Sequence, residues 1–215
     1  MTALSRRAFG TAALATLLAG CGGSPDGRNP ADANATGRAT AERPGGTTPS
    51  ASASEAAGPA RALKRSEPVA LRIPAIGVDT PVMRLGLASD GSVQVPPVVA
   101  HDRAGWYRHS PTPGQTGPSV ILGHVTVGAY GDGVFRHLAR LRRDDRIEVR
   151  LENGRSAVFA VTSVRTVAKA EFPSDAVYGD VDRPELRLIT CGGPRTGDGY
   201  ADNVIVFAAL GSASP

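Results

Sequence analysis

The chain has 215 residues, of which 41% are hydrophobic, 5% aromatic and 20% charged, with a formal net charge of +4. That is enough for one domain with a real core, plus a tail or linker. The only dense basic run, Arg140, Arg142 and Arg143, is followed at once by Asp144-Asp145 and has no interleaved aromatic residues, which excludes a nucleic-acid footprint.

The first residues read as an address. Ser5-Arg6-Arg7-Ala8-Phe9 resembles the twin-arginine export motif. The apolar stretch from Ala12 to Ala19 is broken by Thr16 and falls short of the ~20 residues that span a bilayer. It ends in Leu18-Ala19-Gly20-Cys21, which resembles a bacterial lipobox and implies cleavage before Cys21 and a diacylglycerol on its thiol. The alternative is an ordinary signal or short anchor with an incidental cysteine. Both readings put the domain outside the cytoplasm. The lipobox places it on the extracellular face of the cytoplasmic membrane, held by a lipid anchor.

Residues 22–67 follow. They are rich in Gly, Pro, Ala, Ser and Thr and hold no aromatic residue. Such a stretch cannot bury enough apolar surface to offset the entropy of ordering, so it reads as a flexible tether with Arg61, Lys64 and Arg65 solvated. The chain thus divides into an export signal (1–21), a linker (22–67) and a folded domain (68–211).

Within the domain the signals are those of strands. Val69–Ile73 is stopped by Pro74, and Gly91-Ser92 turns into Val93-Gln94-Val95. The short apolar run Val120-Ile121-Leu122 suits a strand buried on both faces. Arg146–Leu151 alternates, with Ile147, Val149 and Leu151 facing inward. Asn153-Gly154 predicts a hairpin with a type I′ turn, because both residues tolerate positive φ. Ser156–Val167 is the expected return strand, and Leu186–Thr190 and Val204–Ala209 are two more. Helix is confined to one or two turns around Val134, Phe135 and Leu138. The pattern is all-β, a barrel or a sandwich.

Chemistry centres on Cys191. It ends an apolar strand, and Gly192-Gly193 follow it. Its only companion thiol, Cys21, belongs to the signal, so Cys191 has no evident disulfide partner. A free thiol near pKa 8.5 is mostly protonated at neutral pH and needs an imidazole or a cation beside it to act as a nucleophile. Among His101, His109, His124 and His137, only His124 mirrors the setting of the cysteine: an apolar strand, Gly123, then the reactive side chain. Two such strand ends can present both groups at one rim. His101 and His109 lie in Pro/Ser/Gly-rich loops and His137 stands beside Arg136; these three read as structural. Trp106 and Tyr107 read as packing at the barrel surface.

Ile121-Leu122-Gly123-His124-Val125 together with Leu188-Ile189-Thr190-Cys191-Gly192-Gly193 resembles a sortase, a cysteine transpeptidase with an eight-stranded β-barrel. The resemblance extends over Leu71-Arg72-Ile73-Pro74, Ile76-Gly77-Val78, Gly105-Trp106-Tyr107, Pro113-Gly114, Phe172-Pro173 and Val177-Tyr178-Gly179, and is nearest to the actinobacterial class F group. It implies a sortase-like barrel with one or two short helices. It implies that Cys191 attacks the Thr–Gly bond of a C-terminal Leu-Pro-x-Thr-Gly-like sorting motif to form a thioacyl enzyme. An amine, such as that of a peptidoglycan stem peptide or another protein, then takes the acyl group. His124 would protonate the leaving amine and deprotonate the incoming one.

The family also uses an arginine near the start of the last strand. The position expected from the end of that strand holds Asn203, an uncharged donor. The only arginine between Cys191 and that strand is Arg195. Arg195 is the expected cation, Asn203 a possible helper, and Thr190 a residue that orients the site or lines the substrate groove. The 12 residues 191–202 read as a long, functional connection.

Two other readings compete. An L,D-transpeptidase carries its histidine close before the cysteine in a Ser-His-Gly-Cys element, whereas His124 precedes Cys191 by 67 positions (191 − 124). A catalytically weak or inactive sortase-fold lipoprotein that binds the cell wall is kept open by Asn203, because a fold does not guarantee an activity. No His/Cys/Asp/Glu cluster has metal-ligand spacing, so neither a metal nor another cofactor is expected.

Overall fold

The computed structural model describes residues 61–197 and 199–214. The export signal, Cys21 and the tether up to residue 60 lie outside the described residues. Ten strands run in chain order. They are β1 (Pro68–Ile73), β2 (Val78–Leu85), β3 (Ala104–Tyr107), β4 (Gly117–Leu122), β5 (Thr126–Val127), β6 (Gly131–Asp132), β7 (Arg146–Leu151), β8 (Ser156–Ala168), β9 (Pro184–Thr196) and β10 (Gly199–Ser214). Eight of them close a barrel in the order β1-β2-β3-β4-β9-β10-β8-β7, with β1 pairing back onto β7; β5 and β6 form a separate two-stranded sheet. The β2–β3 and β4–β9 pairs are parallel and the other pairs are antiparallel. Helix amounts to one short α-helix, α1 (Ser174–Tyr178), and single 3-10 turns. The barrel expected from short strands and turn residues is present, and closure removes the open edges that a sandwich would leave.

Alternation explains the two apolar layers. On β7, Ile147, Val149 and Leu151 are buried while Arg146 and Arg150 are exposed. On β4 every residue is buried. Ile121 points with Leu71, Trp106, Phe135 and Leu188 into the barrel core. Val120 and Leu122 join Ile189, Ile205, Phe207 and Val177 in a second cluster, against which Val93, Tyr107 and Phe172 pack. The apolar run that signalled a doubly buried strand is therefore covered on one side by the barrel and on the other by loop and α1 residues.

Several local expectations change. Trp106 is not at the surface: it is fully buried in the core, and its Nε1 donates to the Pro111 carbonyl at 3.2 Å. Tyr107 is half-buried, edge-on to His109 and Tyr178. Val93 makes only an isolated bridge to Leu87. The hairpin at 151–155 forms, but not with a type I′ turn. Gly154 has φ of 81° while Asn153 stays at negative φ. Gly154 N–H donates to the Leu151 carbonyl at 3.0 Å, Leu151 N–H to Arg155, and the Asn153 side-chain oxygen accepts from Arg155 N–H. This is the three-residue loop, a type I turn followed by a left-handed glycine.

Residues 61–67, read from composition as the end of the tether, lie against the barrel. Leu63 is buried in the core cluster and its N–H donates to the Gly114 carbonyl at 2.7 Å. Arg65 sits over the Trp106 ring at 5.9 Å. Ser66 N–H donates to Thr112, and Glu67 pairs with Arg84. Composition missed this strap because one leucine and a few charged anchors suffice when the partner surface is already built.

Candidate active site

Strand pairing brings the two expected reactive residues onto neighbouring strands; His124 stands just past the end of β4, whereas β9, expected to end at Cys191, runs on to Thr196. β4 and β9 run parallel with Leu122 opposite Ile189, and Gly123 N–H donates to the Ile189 carbonyl at 3.1 Å. His124 and Cys191 each stand two residues beyond that last registered pair. In a parallel ladder both strands run toward the same rim, so these residues lie toward the same end of the barrel although 67 positions separate them (191 − 124).

The imidazole has a fixed partner. His124 Nε2 lies 2.6 Å from the Pro96 carbonyl, in the crossover between β2 and β3. A carbonyl only accepts, so Nε2 carries the donated proton and Nδ1 is the nitrogen left to exchange one in the neutral ring. The backbone around it is clamped: the His124 carbonyl accepts from Phe135 N–H at 2.9 Å, and the Val125 carbonyl from Gly133 N–H at 3.0 Å. Cys191 is a free, half-buried thiol.

Across the other ladder, Asn203 on β10 is the direct partner of Cys191, and Asp202 is the partner of Gly192. Arg195 pairs with Tyr200 further out, is exposed, and places its guanidinium 6.0 Å from the Tyr200 ring centre. The 12-residue connection is not a loop. β9 and β10 continue as a two-stranded arm to Thr196 and Gly199. A bulge accommodates the residues after Cys191: Gly193 takes φ of 71°, and Pro194, which has no N–H to give, sits out of the ladder. Thr190 is buried, at 4% exposure, and its Oγ1 finds no hydrogen-bond partner among the described residues.

A hollow of about 310 Å³ opens beside Cys191. Val125, Arg136, Thr166, Thr190 and Tyr200 line it together with the thiol-bearing residue. The Tyr200 hydroxyl is held 2.7 Å from Thr126 Oγ1. Arg136, Tyr200 and Thr126 were not singled out from the sequence. Arg136 was passed over as the neighbour of a structural histidine, and only the tertiary fold carries it to the rim. Of the remaining histidines, His101 stacks near Tyr130, His109 meets Tyr107, and the His137 carbonyl accepts from Arg140 N–H.

A closed barrel with little helix among the described residues, carrying Cys191 and His124 on adjacent parallel strands, defines the fold class, and the comparisons agree with it. The family model described as the sortase domain matches residues 71–211. Among solved structures, the chain is similar to SrtA sortase from Actinomyces oris, at 26% identity and TM-score 0.52, covering 75% of this chain and 89% of that one. It is also similar to Listeria monocytogenes sortase A (16%, TM-score 0.52, 68% and 89%) and to sortase C-1 from Actinomyces oris (19%, TM-score 0.52, 67% and 74%). No curated protein matches the chain. The chain belongs to the sortase family of transpeptidases.

Proposed function

We propose that the protein is a class F-type sortase, which cleaves a Leu-Pro-x-Thr-Gly-like motif between Thr and Gly and transfers the acyl group to an amine of the cell wall or of another protein. The observation that carries this reading is the parallel β4–β9 register, which delivers His124 and Cys191 to one rim. Cys191 is the nucleophile. Its sulfur attacks the threonine carbonyl, the C–N bond to glycine breaks, and His124 gives a proton to the departing amine. An acceptor amine then attacks the thioacyl carbon, the C–S bond breaks, and the amine proton leaves through His124.

The oxyanion formed in each step needs donors. Asn203 is the donor in this reading, supported by its ladder pairing with Cys191 and by an amide that can donate. Arg195 lies on the projecting arm over Tyr200, where it suits holding the incoming substrate chain as the site's cation. Thr190 supports the strand that carries the nucleophile. Residues 1–21 would export the enzyme, with a lipid on Cys21 holding it on the outer face of the membrane, where motif-bearing proteins and acceptor amines meet.

The direct test is Cys191→Ala. Incubated with a sorting-motif peptide, it should release no Thr–Gly cleavage product and form no thioacyl adduct by mass spectrometry, with an unfolding midpoint close to that of the parent. Turnover equal to that of the parent would sink the assignment.

A further inference from the structure

The crossover between β2 and β3, residues 86–103, reaches His124 through the carbonyl of Pro96, 2.6 Å from Nε2. Burial of its own apolar side chains does little to hold this segment down: Val95, Val98 and Val99 are 59%, 54% and 68% exposed. Pro96 itself is buried between them. The stiffness here is covalent. The ring of Pro96 locks its φ at about −65°. The ring of Pro97 excludes the helical region for the residue before it and leaves Pro96 extended. Both backbone torsions of Pro96 are restricted before the chain folds, so its carbonyl is aimed with little freedom left to lose.

Pins on either side set where that carbonyl sits. Two residues upstream, Gln94 closes on Gly86 twice: its N–H donates to the Gly86 carbonyl at 3.0 Å, and its Oε1 accepts from Gly86 N–H at 2.8 Å. Val93 packs on the cluster that holds Leu85 and Leu122. Downstream, the Pro97 carbonyl accepts from Ala100 N–H at 2.8 Å and the His101 carbonyl from Val134 N–H at 2.9 Å. The residue after Val134, Phe135, donates its N–H to the His124 carbonyl at 2.9 Å. The ring and the backbone of His124 are thus tied to the same crossover.

A neutral imidazole can carry its proton on either nitrogen, and the partner of one nitrogen decides what the other can do. A group that gives and takes protons needs its exchanging nitrogen free in every turnover. We propose that Pro97 and Gln94 are positioning residues for the transfer reaction. Pro97 stiffens the strap that aims the Pro96 carbonyl, and Gln94 pins it. Together they hold the His124 proton on Nε2 and keep Nδ1 as the nitrogen that exchanges protons. This rests on the transpeptidase reading above. Both residues act through His124 rather than on the substrate.

Pro97 is exposed and extended, with φ of −56° and ψ of 146°. Alanine adopts those torsions without strain, so Pro97→Ala keeps the fold and loosens the torsion of Pro96. Full-length protein, isotopically labelled at the histidine ring nitrogens, reads the tautomer by NMR at alkaline pH, because protonated and bare nitrogens resonate far apart. The signals lost in His124→Asn assign the residue. The parent should show a protonated Nε2 and a bare Nδ1. In Pro97→Ala the two signals should move toward each other. Its kcat for transfer from a sorting-motif peptide should fall about three- to tenfold, the worth of one ordinary hydrogen bond, with KM for the peptide unchanged. Gln94→Ala should do the same. Gln94→Glu, whose carboxylate still accepts from Gly86 N–H, should restore the parent's values. A parent with its proton on Nδ1, or Pro97→Ala with the parent's spectrum or the parent's kcat, overturns the proposal. A lower kcat with an unmoved spectrum makes the strap structural only and overturns it too. So does a higher kcat in Pro97→Ala, which would mean that the Pro96 contact holds His124 idle. The spectrum reads the tautomer whether or not a thioacyl enzyme forms, so this inference and the transpeptidase reading fail separately.

Discussion

At the scale of single residues, Cys191 and His124 stand out in the sequence because each follows an apolar run and borders a glycine; β4 does end before His124, but β9 runs past Cys191 to Thr196. That their strands are neighbours was not legible, because nothing local in either strand says so. The oxyanion donor was harder still, since choosing between Arg195 and Asn203 requires knowing which residue lies across the ladder from the thiol. Register favours Asn203. Asn203→Ala should therefore lower kcat by about 10²–10³, the usual cost of losing one such donor. Arg195→Ala should act mainly by raising KM for the motif peptide. Steady-state kinetics of both variants check this, and the reverse pattern would return the oxyanion to Arg195.

At the scale of elements, alternation and apolar runs located β1, β4, β7, β8, β9 and β10 well, because burial on a pleated strand imposes a period of two. The β9–β10 arm was read as a long connection because Gly192-Gly193 follow Cys191 and residues 191–202 separate two apolar runs, and a bulge that accommodates the glycines leaves no distinct sequence mark. β9 also carries a buried charge that pattern reading set aside. Arg187 is 3% exposed, donates to Glu185 at 2.5 Å and to the Ala176 carbonyl at 3.2 Å, and stacks 4.6 Å from the Phe207 ring centre. It ties the barrel wall to α1. Arg187→Ala leaves Glu185 buried with only its exposed partner Arg183 and should destabilise the fold by about 3–5 kcal/mol in denaturant titration. A loss under about 1 kcal/mol would mean that α1 docks without this link.

At the scale of the whole molecule, the barrel closes where β1 meets β7, and the closing ladder sets Arg72 opposite Glu148. The hydrogen bond from Arg146 to Glu148 holds that carboxyl below its usual range, aided by Ser156 and by the charges of Arg146 and Arg72. The unfolded chain then binds a proton that the folded chain does not, so this contribution is present above the ordinary glutamate value and fades as pH falls through the depressed one. The unfolding midpoint should drop as pH falls below about 4.5, the ordinary glutamate value, and less steeply in Glu148→Gln; parallel curves for the two proteins would remove Glu148 from the seam's acid response.

The order of the strands has a consequence for how the enzyme comes into being. β10 bonds to both β8 and β9, so the strand that carries Cys191 has its second neighbour only once β10 has been made. β4, with the imidazole at its end, must wait for a strand that begins some sixty residues later. Pairings that distant form late, after the entropy of closing a long loop has been overcome. Until then Cys191 lacks both His124 on the neighbouring strand and Asn203 across the ladder. On the proposed mechanism, reactivity is thus deferred to the end of folding, and the unfinished chain carries a comparatively quiet cysteine.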